Sequence, residues 1–311
     1  MKKEPLVSVI MNCYNGEKYL REAIDTVIVQ VYKNWEIIFW DNVSSDASAE
    51  IIKSYSDPRI KYYCAEENIP LGGARNKAIE KSNGELIAFL DVDDLWVPEK
   101  LALQVPLFEQ NHKVGLVYSD SIWFNTENGK EKLSLKDNNK LRGNCFRELL
   151  TNYLMTQSSI IIKKEALLGQ KEWFDERFHL LEEADLFRRI SYYWELDFVD
   201  KPLAKWRIHN DSSTWTKFNK IHKEGEMMLL KFSNLFPNFD TNYVKEIRYY
   251  KSILKRKEAI SLWQGNKNLL ARRSLYGFIL IDKKNTALFL LTFFPYKFYA
   301  KALSIFSLRL K

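Results

Sequence analysis

LIAFLDVDDLWVPEKL, residues Leu86 to Leu101, is the stretch whose reading decides the fold. Leu86 to Leu90 is an apolar run of strand length, and it empties into three carboxylates, Asp91, Asp93 and Asp94, within four positions. Carboxylates this close repel one another, so they need solvent or a cation between them, and hard oxygen ligands at such density suit Mg²⁺ or Mn²⁺. A plainer reading makes Asp93 or Asp94 the cap of a following helix, with Pro98 in its first turn. Spacing alone leaves both readings open.

The sequence on the N-terminal side decides between them. Residues 6–12 (LVSVIMN) predict a strand that ends in Cys13-Tyr14-Asn15-Gly16, and apolar residues from Tyr19 to Val31 then recur at helical spacing. A second strand at Glu36 to Trp40 runs into Asp41-Asn42-Val43-Ser44-Ser45-Asp46, and a helix is expected over Ala47 to Tyr55. A short strand at Ile60 to Cys64, a loop with Gly72-Gly73 and a helix from about Ala74 to Lys81 lead back to the acid cluster. Strands alternating with helices predict right-handed βαβ units on a largely parallel sheet, whose ligands lie beyond the carboxyl ends of the strands. Three successive strands ending in polar or acidic loops favour a site over three coincidental caps. Neither GxGxxG nor GxxxxGK[ST] is present, so a diphosphate would be held through a divalent cation rather than by a phosphate loop.

Composition narrows the class further. The 311 residues are 46% hydrophobic and 28% charged, enough for a large core with an appendage. Leu6 to Met11 is too short for a secretory h-region, which predicts a cytoplasmic start. Cys13, Cys64 and Cys145 are odd in number and widely spaced, so free thiols are expected rather than a disulfide framework or a zinc site. The net charge of +7 gathers beyond residue 245 beside apolar runs. That placement favours an anionic membrane surface; without a finger or RNA-recognition signature, no nucleic-acid partner is expected.

The runs VSVIMNCYNGEKYLREAI, IIFWDNVSSDAS and GGARNKAIEKSNGELIAFLDVDDLWVPEKL resemble the nucleotide-sugar half of a family 2 glycosyltransferase of bacterial surface-polysaccharide type. The resemblance is close over residues 5–105 and looser to about 215. It implies a GT-A fold: a Rossmann-like, mainly parallel mixed sheet flanked by helices, here with a C-terminal helical appendage. The domains expected are 1–215, made of a nucleotide-sugar half (1–120) and an acceptor half (121–215), and a helical region 216–311. By the same resemblance Asn12, Tyr14 and Asn15 line the base and ribose pocket, and Asp41 with Asn42 recognises the base. Arg75 and Asn76 lie near the donor, Asp91 contacts its ribose or sugar, and Asp93 and Asp94 carry Mn²⁺ or Mg²⁺. The family has a second aspartate where this chain has Asn42; an amide oxygen still accepts the uracil N3–H, so a UDP-linked donor is expected.

In the acceptor half, Val114 to Ser119 and Ser158 to Ile162 read as strands, and Ile122 to Leu135 as a hairpin turning at Glu127-Asn128-Gly129. Glu182 and Glu183 open a helix in FDERFHLLEEADLFRRI, where acid in the first turn would serve the helix dipole in any protein. This segment resembles the family's Glu-Asp-x-Asp-Leu motif, which makes Glu183 the expected general base, Glu182 its substitute and Asp185 structural. LAKWRIHNDSS resembles the closing Arg-x-His-x-x-Ser segment, implying that Arg207 neutralises pyrophosphate and that His209 approaches the metal.

The Gln-x-x-Arg-Trp motif and multiple membrane spans of processive synthases are absent, so transfer of a single sugar is expected. Thr286 to Phe306 is interrupted by Pro295, Lys297 and Lys301, too soon to span about 30 Å of hydrocarbon. It reads as a basic, aromatic anchor lying on the inner face of the cell membrane, which suits a glycan or lipid-linked glycan acceptor, or else as a helix that packs on the catalytic core or serves as a dimer partner. The rival of a different class is a non-catalytic GT-A-like scaffold in a membrane-associated assembly complex.

Overall fold

The computed structural model describes residues 4–135, 140–153, 155–209 and 220–297. They divide into two compact units, Met1–Leu149 with Tyr153–His209, and Leu150–Asn152 with Asn210–Lys311. The boundary expected at residue 215 lies outside the described residues.

The first unit is built on a nine-stranded mixed sheet. Its strands are β1 (Val7–Cys13), β2 (Trp35–Asp41), β3 (Ile60–Cys64), β4 (Leu86–Phe89), β5 (Leu95–Trp96), β6 (Val114–Phe124), β7 (Glu131–Leu133), β8 (Ile161–Lys163) and β9 (Glu195–Arg207). They lie in the order β3-β2-β1-β4-β8-β6-β9-β5, with β7 paired to β6. β3, β2, β1 and β4 are parallel, β8 runs against both β4 and β6, and β9 lies parallel to β6. The helices are α1 (Glu17–Ile28), α2 (Ser48–Lys53), α3 (Leu71–Glu80), α4 (Lys100–Gln110), α5 (Phe146–Thr151), α6 (Lys164–Leu168) and α7 (Glu182–Tyr193).

The pleat explains why the central strands are apolar throughout. Val7, Val9 and Met11 of β1 enter one core layer with Leu20, Ile24 and Val27 of α1, whereas Ile10 enters the other with Ala78 of α3 and Phe187 of α7. Each such side chain contributes about 1.5–3 kcal/mol by leaving water. Gly84 lets the chain pass close to β1: a Cβ there would lie 2.6 Å from the Ser8 backbone nitrogen and 2.7 Å from the Leu6 oxygen.

Several boundaries differ from expectation for tertiary reasons. α3 starts at Leu71, so Gly72 and Gly73 sit in its first turn; a Cβ on Gly73 would lie 2.9 Å from the Glu176 carboxylate. β6 extends past Ser119 to Phe124 because β9 pairs along its whole length, and it therefore crosses the expected division at residue 120. The segment expected as a strand from Ser158 begins instead as a 3₁₀ turn at Gln157–Ser159. The chain after Asp94 enters β5, antiparallel to β9 with Leu95 opposite Lys205, and the next helix begins only at Lys100 without a side-chain cap. The plainer reading of Asp93 and Asp94 as helix caps is thereby removed. The hairpin at Gly129 and the three free cysteines are as expected.

The second unit is helical: α8 (Ile221–Leu235), α9 (Phe239–Asn242), α10 (Val244–Gln264), α11 (Asn268–Leu275) and α12 (Lys283–Leu291). Ala259 and Trp263 of α10 pack on Ala271 and Leu275 of α11 and Leu288 of α12. No helix among the described residues is long and apolar enough to cross a membrane.

Candidate active site

The acid loop follows β4 and separates its three carboxylates by environment. Asp94 turns inward, 1% exposed. Its Oδ1 accepts the Arg207 backbone N–H at 3.0 Å and its Oδ2 the Ser158 hydroxyl at 2.5 Å. Burial, then Asp93 and Asp91, push its pKa well above the usual range. A carboxylate so enclosed does not fit a metal, and the expectation that Asp94 is a ligand gives way to that of a brace between the acid loop and β9. Asp93 keeps its side chain one-third exposed, and its Oδ2 lies 2.8 Å from His209 Nε2. The other ring nitrogen of His209, Nδ1, is buried without a hydrogen-bonding partner among the described residues.

Arg207 likewise departs from expectation. Its Nε donates to the Asp93 carbonyl at 2.7 Å and one terminal nitrogen to Glu22 at 2.6 Å, while the guanidinium lies over Tyr19 (4.3 Å) and Phe124 (4.6 Å). At 2% exposure it has no open face toward a pyrophosphate; it holds the acid loop beside β9.

The third carboxylate, Asp91, joins a second cluster. Arg75 of α3 donates to Asp91 Oδ1 at 3.2 Å and to Glu182 Oε1 at 2.8 Å, tying the acid loop to the first turn of α7. Burial works against the Arg75 charge, but Asp91, Glu182 and Glu183 outweigh it and its pKa is raised. Glu183 is the neighbour left over. Burial pushes its carboxyl up to about 8, Arg75 pulls down, and Glu182 and Asp91 push up. Two buried polar atoms in this region, Glu182 Oε2 and the Tyr153 hydroxyl, have no hydrogen-bonding partner among the described residues. Asp185, by contrast, pairs with Arg189 one turn on, at 2.8 Å, away from solvent.

The loops after β1 and β2 are bound to each other. The Asn15 side chain accepts the Ser45 N–H at 2.8 Å, and the Asn15 backbone N–H donates to the Ser44 hydroxyl at 3.0 Å. Asp41 spends Oδ1 on the Ser44 N–H and Oδ2 on the Tyr62 hydroxyl. Asn42 donates to the Ile69 carbonyl at 2.8 Å and accepts the Ile69 N–H at 3.3 Å, pinning the loop before α3. Asp41 and Asn42 therefore hold the loop after β2 against its neighbours. Val43 between these loop anchors has φ +66°, a left-handed conformation that a β-branched residue rarely adopts. Tyr14 is exposed, and the buried Asn12 Nδ2 has no hydrogen-bonding partner among the described residues. Asn76 is not: its side chain clamps the Phe174 backbone from both sides, at 2.8 and 3.0 Å. Gly16 lets the first loop meet the acid loop, since a Cβ there would lie 2.8 Å from Val92.

The described residues hold no cluster of three or more His, Cys, Asp or Glu able to bind a metal unaided. They do offer one exposed carboxylate oxygen beside one imidazole nitrogen, with an orphaned Nδ1 on the same ring. Mg²⁺ and related ions are commonly held by one or two protein ligands, with substrate phosphates and water completing the shell, and the pair fits that pattern.

Residues that local reasoning passed over are Ser158, Tyr62, Glu22 and Tyr153. The first three act through partners 64, 21 and 185 residues away. No motif marks them; only an accounting of buried polar groups would find them.

The sheet order and the loops at its strand ends define a glycosyltransferase of the GT-A class. The chain belongs to glycosyl transferase family 2, whose description it matches over residues 8–174. It is 34% identical over 229 residues to an uncharacterised glycosyltransferase of Methanocaldococcus jannaschii, covering 70% of this chain and 76% of that protein. It is 37% identical over 229 residues to a UDP-Glc:α-D-GlcNAc-diphosphoundecaprenol β-1,3-glucosyltransferase of Escherichia coli, over 64% of this chain and 89% of the relative. Its fold is similar to S. aureus TarS residues 1–349 in complex with UDP-GlcNAc (TM-score 0.64, 18% identity, 97% of this chain and 89% of that one). A mannosyltransferase of Pyrobaculum calidifontis in complex with GDP-Man and Mn²⁺ also shares it (TM-score 0.63, 14% identity, 96% and 84%).

Proposed function

We propose that the protein transfers a single sugar, with inversion, from a UDP-linked donor to a lipid-linked glycan during surface polysaccharide synthesis. The observation that carries the chemistry is the arrangement of Arg75: it bridges Asp91 and Glu182, and Glu183, within reach of the charges of all three, has no ion pair of its own among the described residues. In the reaction an acceptor hydroxyl attacks the donor C1 in line. The new C1–O bond forms as the C1–O(phosphate) bond breaks, the hydroxyl proton passes to Glu183, and the nucleoside diphosphate departs with the bonding pair. Burial keeps the Glu183 carboxylate basic enough for that proton.

Asp93 and His209 would hold Mn²⁺ or Mg²⁺, which supplies positive charge against the departing diphosphate. Arg207 and Asp94 fix these two residues without touching the donor. Asn12 and Tyr14 face the nucleoside, and the linked loops at Asn15 and Asp41 set the width of its pocket. The UDP donor and lipid-diphosphate acceptor are carried over from the E. coli relative's described activity. Such an acceptor would bring the protein to the inner face of the cell membrane.

Calorimetric titration of UDP, GDP and dTDP, with and without Mn²⁺, tests the donor side. Metal-dependent binding of UDP alone supports the reading. Absence of binding under every condition would overturn it in favour of a non-catalytic scaffold.

A further inference from the structure

The second unit carries an apolar and cationic surface that the transfer reaction does not use. Leu269, Arg272, Arg273 and Tyr276 recur at three- and four-residue spacing along α11 and into the turn after it, so they share one face. Phe289 and Phe293, four residues apart at the end of α12, form the opposite wall of a 630 Å³ groove. The groove is a built feature. The Arg272 guanidinium donates to the Thr292 carbonyl at 2.8 Å and lies 4.4 Å from the centre of the Phe293 ring, tying one wall to the other.

Its lining includes side chains that a water-facing surface would not choose: Leu269 is 70% exposed, Tyr276 76% and Phe293 60%. Such a patch marks a surface that meets something apolar. Charge says what kind. Residues 265–297 hold six cations (Lys267, Arg272, Arg273, Lys283, Lys284 and Lys297) against one acid, Asp282. Asp282 is already paired with Arg256 and caps α12 through the Lys284 N–H. Arg273 is exposed and makes no ion pair or hydrogen bond among the described residues. A second copy of this chain would set these cations against one another.

We propose that this face of α11 and α12 docks on an anionic phospholipid bilayer. Leu269, Tyr276 and Phe293 enter the interfacial layer, and Arg273 meets lipid phosphate at the mouth of the groove. The role rests on the lipid-linked acceptor proposed above, but the surface is defined by its own residues.

The test is co-sedimentation of the full-length protein with vesicles of phosphatidylcholine alone or with about 30% phosphatidylglycerol, with neither donor nor acceptor present. Failure here would therefore leave the transferase reading standing. The wild type is expected to bind the anionic vesicles and not the neutral ones. Arg273→Glu is expected to weaken binding roughly 10-fold or more, and Leu269→Asp, at a solvent-facing position, to do the same without lowering the melting temperature. Equal binding to both vesicles, no binding, or binding unchanged by both substitutions would overturn the proposal. So would a concentration-dependent dimer, measured by light scattering, that Leu269→Asp dissociates, since it would assign the face to a second copy.

Discussion

Replacing Glu183 by Gln removes the proposed base while keeping the side chain's size, and the consequences follow from its environment. Burial sets the carboxyl at about 8, against an ordinary 4.5. In the free enzyme it is then about one-tenth ionised at pH 7 and about nine-tenths at pH 9. Because kcat/KM reports groups of the free enzyme, its wild-type value should rise roughly ninefold over that interval. The Gln variant should lose about 10²- to 10⁴-fold in kcat, and its residual rate should be flat across the same pH range. Stability moves the opposite way. Between pH 4.5 and 8 the unfolded chain has released the Glu183 proton while the folded protein retains it, so wild-type stability falls as pH rises through that window. The upper bound is about 5 kcal/mol, less where solvent screens the charge. Glu183→Gln lacks this loss and should melt higher than wild type at pH 9, with the difference vanishing below pH 4.5. The assay is sugar transfer from a UDP-sugar to a lipid-diphosphate acceptor across pH 6–10, beside thermal unfolding in the same buffers. A wild-type profile flat between pH 7 and 9, or a variant with more than about one-tenth of the activity, would refute the assignment.

Asp93 and Asp94 should respond differently to replacement. Asp93→Ala is expected to abolish the Mn²⁺-dependent part of UDP binding in calorimetry with little effect on melting. Asp94→Ala leaves the Arg207 N–H and the Ser158 hydroxyl unpaired and should cost about 1–3 kcal/mol in denaturant unfolding; the reverse pattern would mean that the metal sits on Asp94. Gly84→Ala forces a methyl to within 2.6 Å of the Ser8 nitrogen, and a loss of about 1–3 kcal/mol is expected. An unchanged melting temperature for that variant would show that the β1 edge yields.

The fold was legible wherever the signal is local. Val7–Cys13 and Trp35–Asp41 are apolar at every position because both faces of a central parallel strand are covered, and a run of that kind declares itself without knowing what covers it. Glu182 at the start of α7 was legible for the same reason. β9 was missed along most of its thirteen residues because its exposure pattern is irregular: Asp200 and Lys201 stand in solvent beside two register shifts against β6. Asn76 and Arg207 were read as donor contacts because they lie in the right motifs; their side chains are spent on Phe174 and on Asp93 and Glu22.

By itself, the sequence determined the order of strands and helices from Val7 to Phe89, the convergence of polar loops at those strand ends, and the residue types gathered there. These depend on periodicity, on turn residues and on carboxylate crowding within a few positions. Only the tertiary structure decided which carboxylate is buried and what each one meets. Asp91, Asp93 and Asp94 are nearly equivalent in sequence, yet Arg75, His209 and the Arg207–Ser158 pair give them three different fates, and all but Arg75 come from beyond residue 150. A buried carboxylate is stable only where donors meet it, and those donors are delivered by α3, the 3₁₀ turn at Gln157–Ser159 and the end of β9 packing against the acid loop.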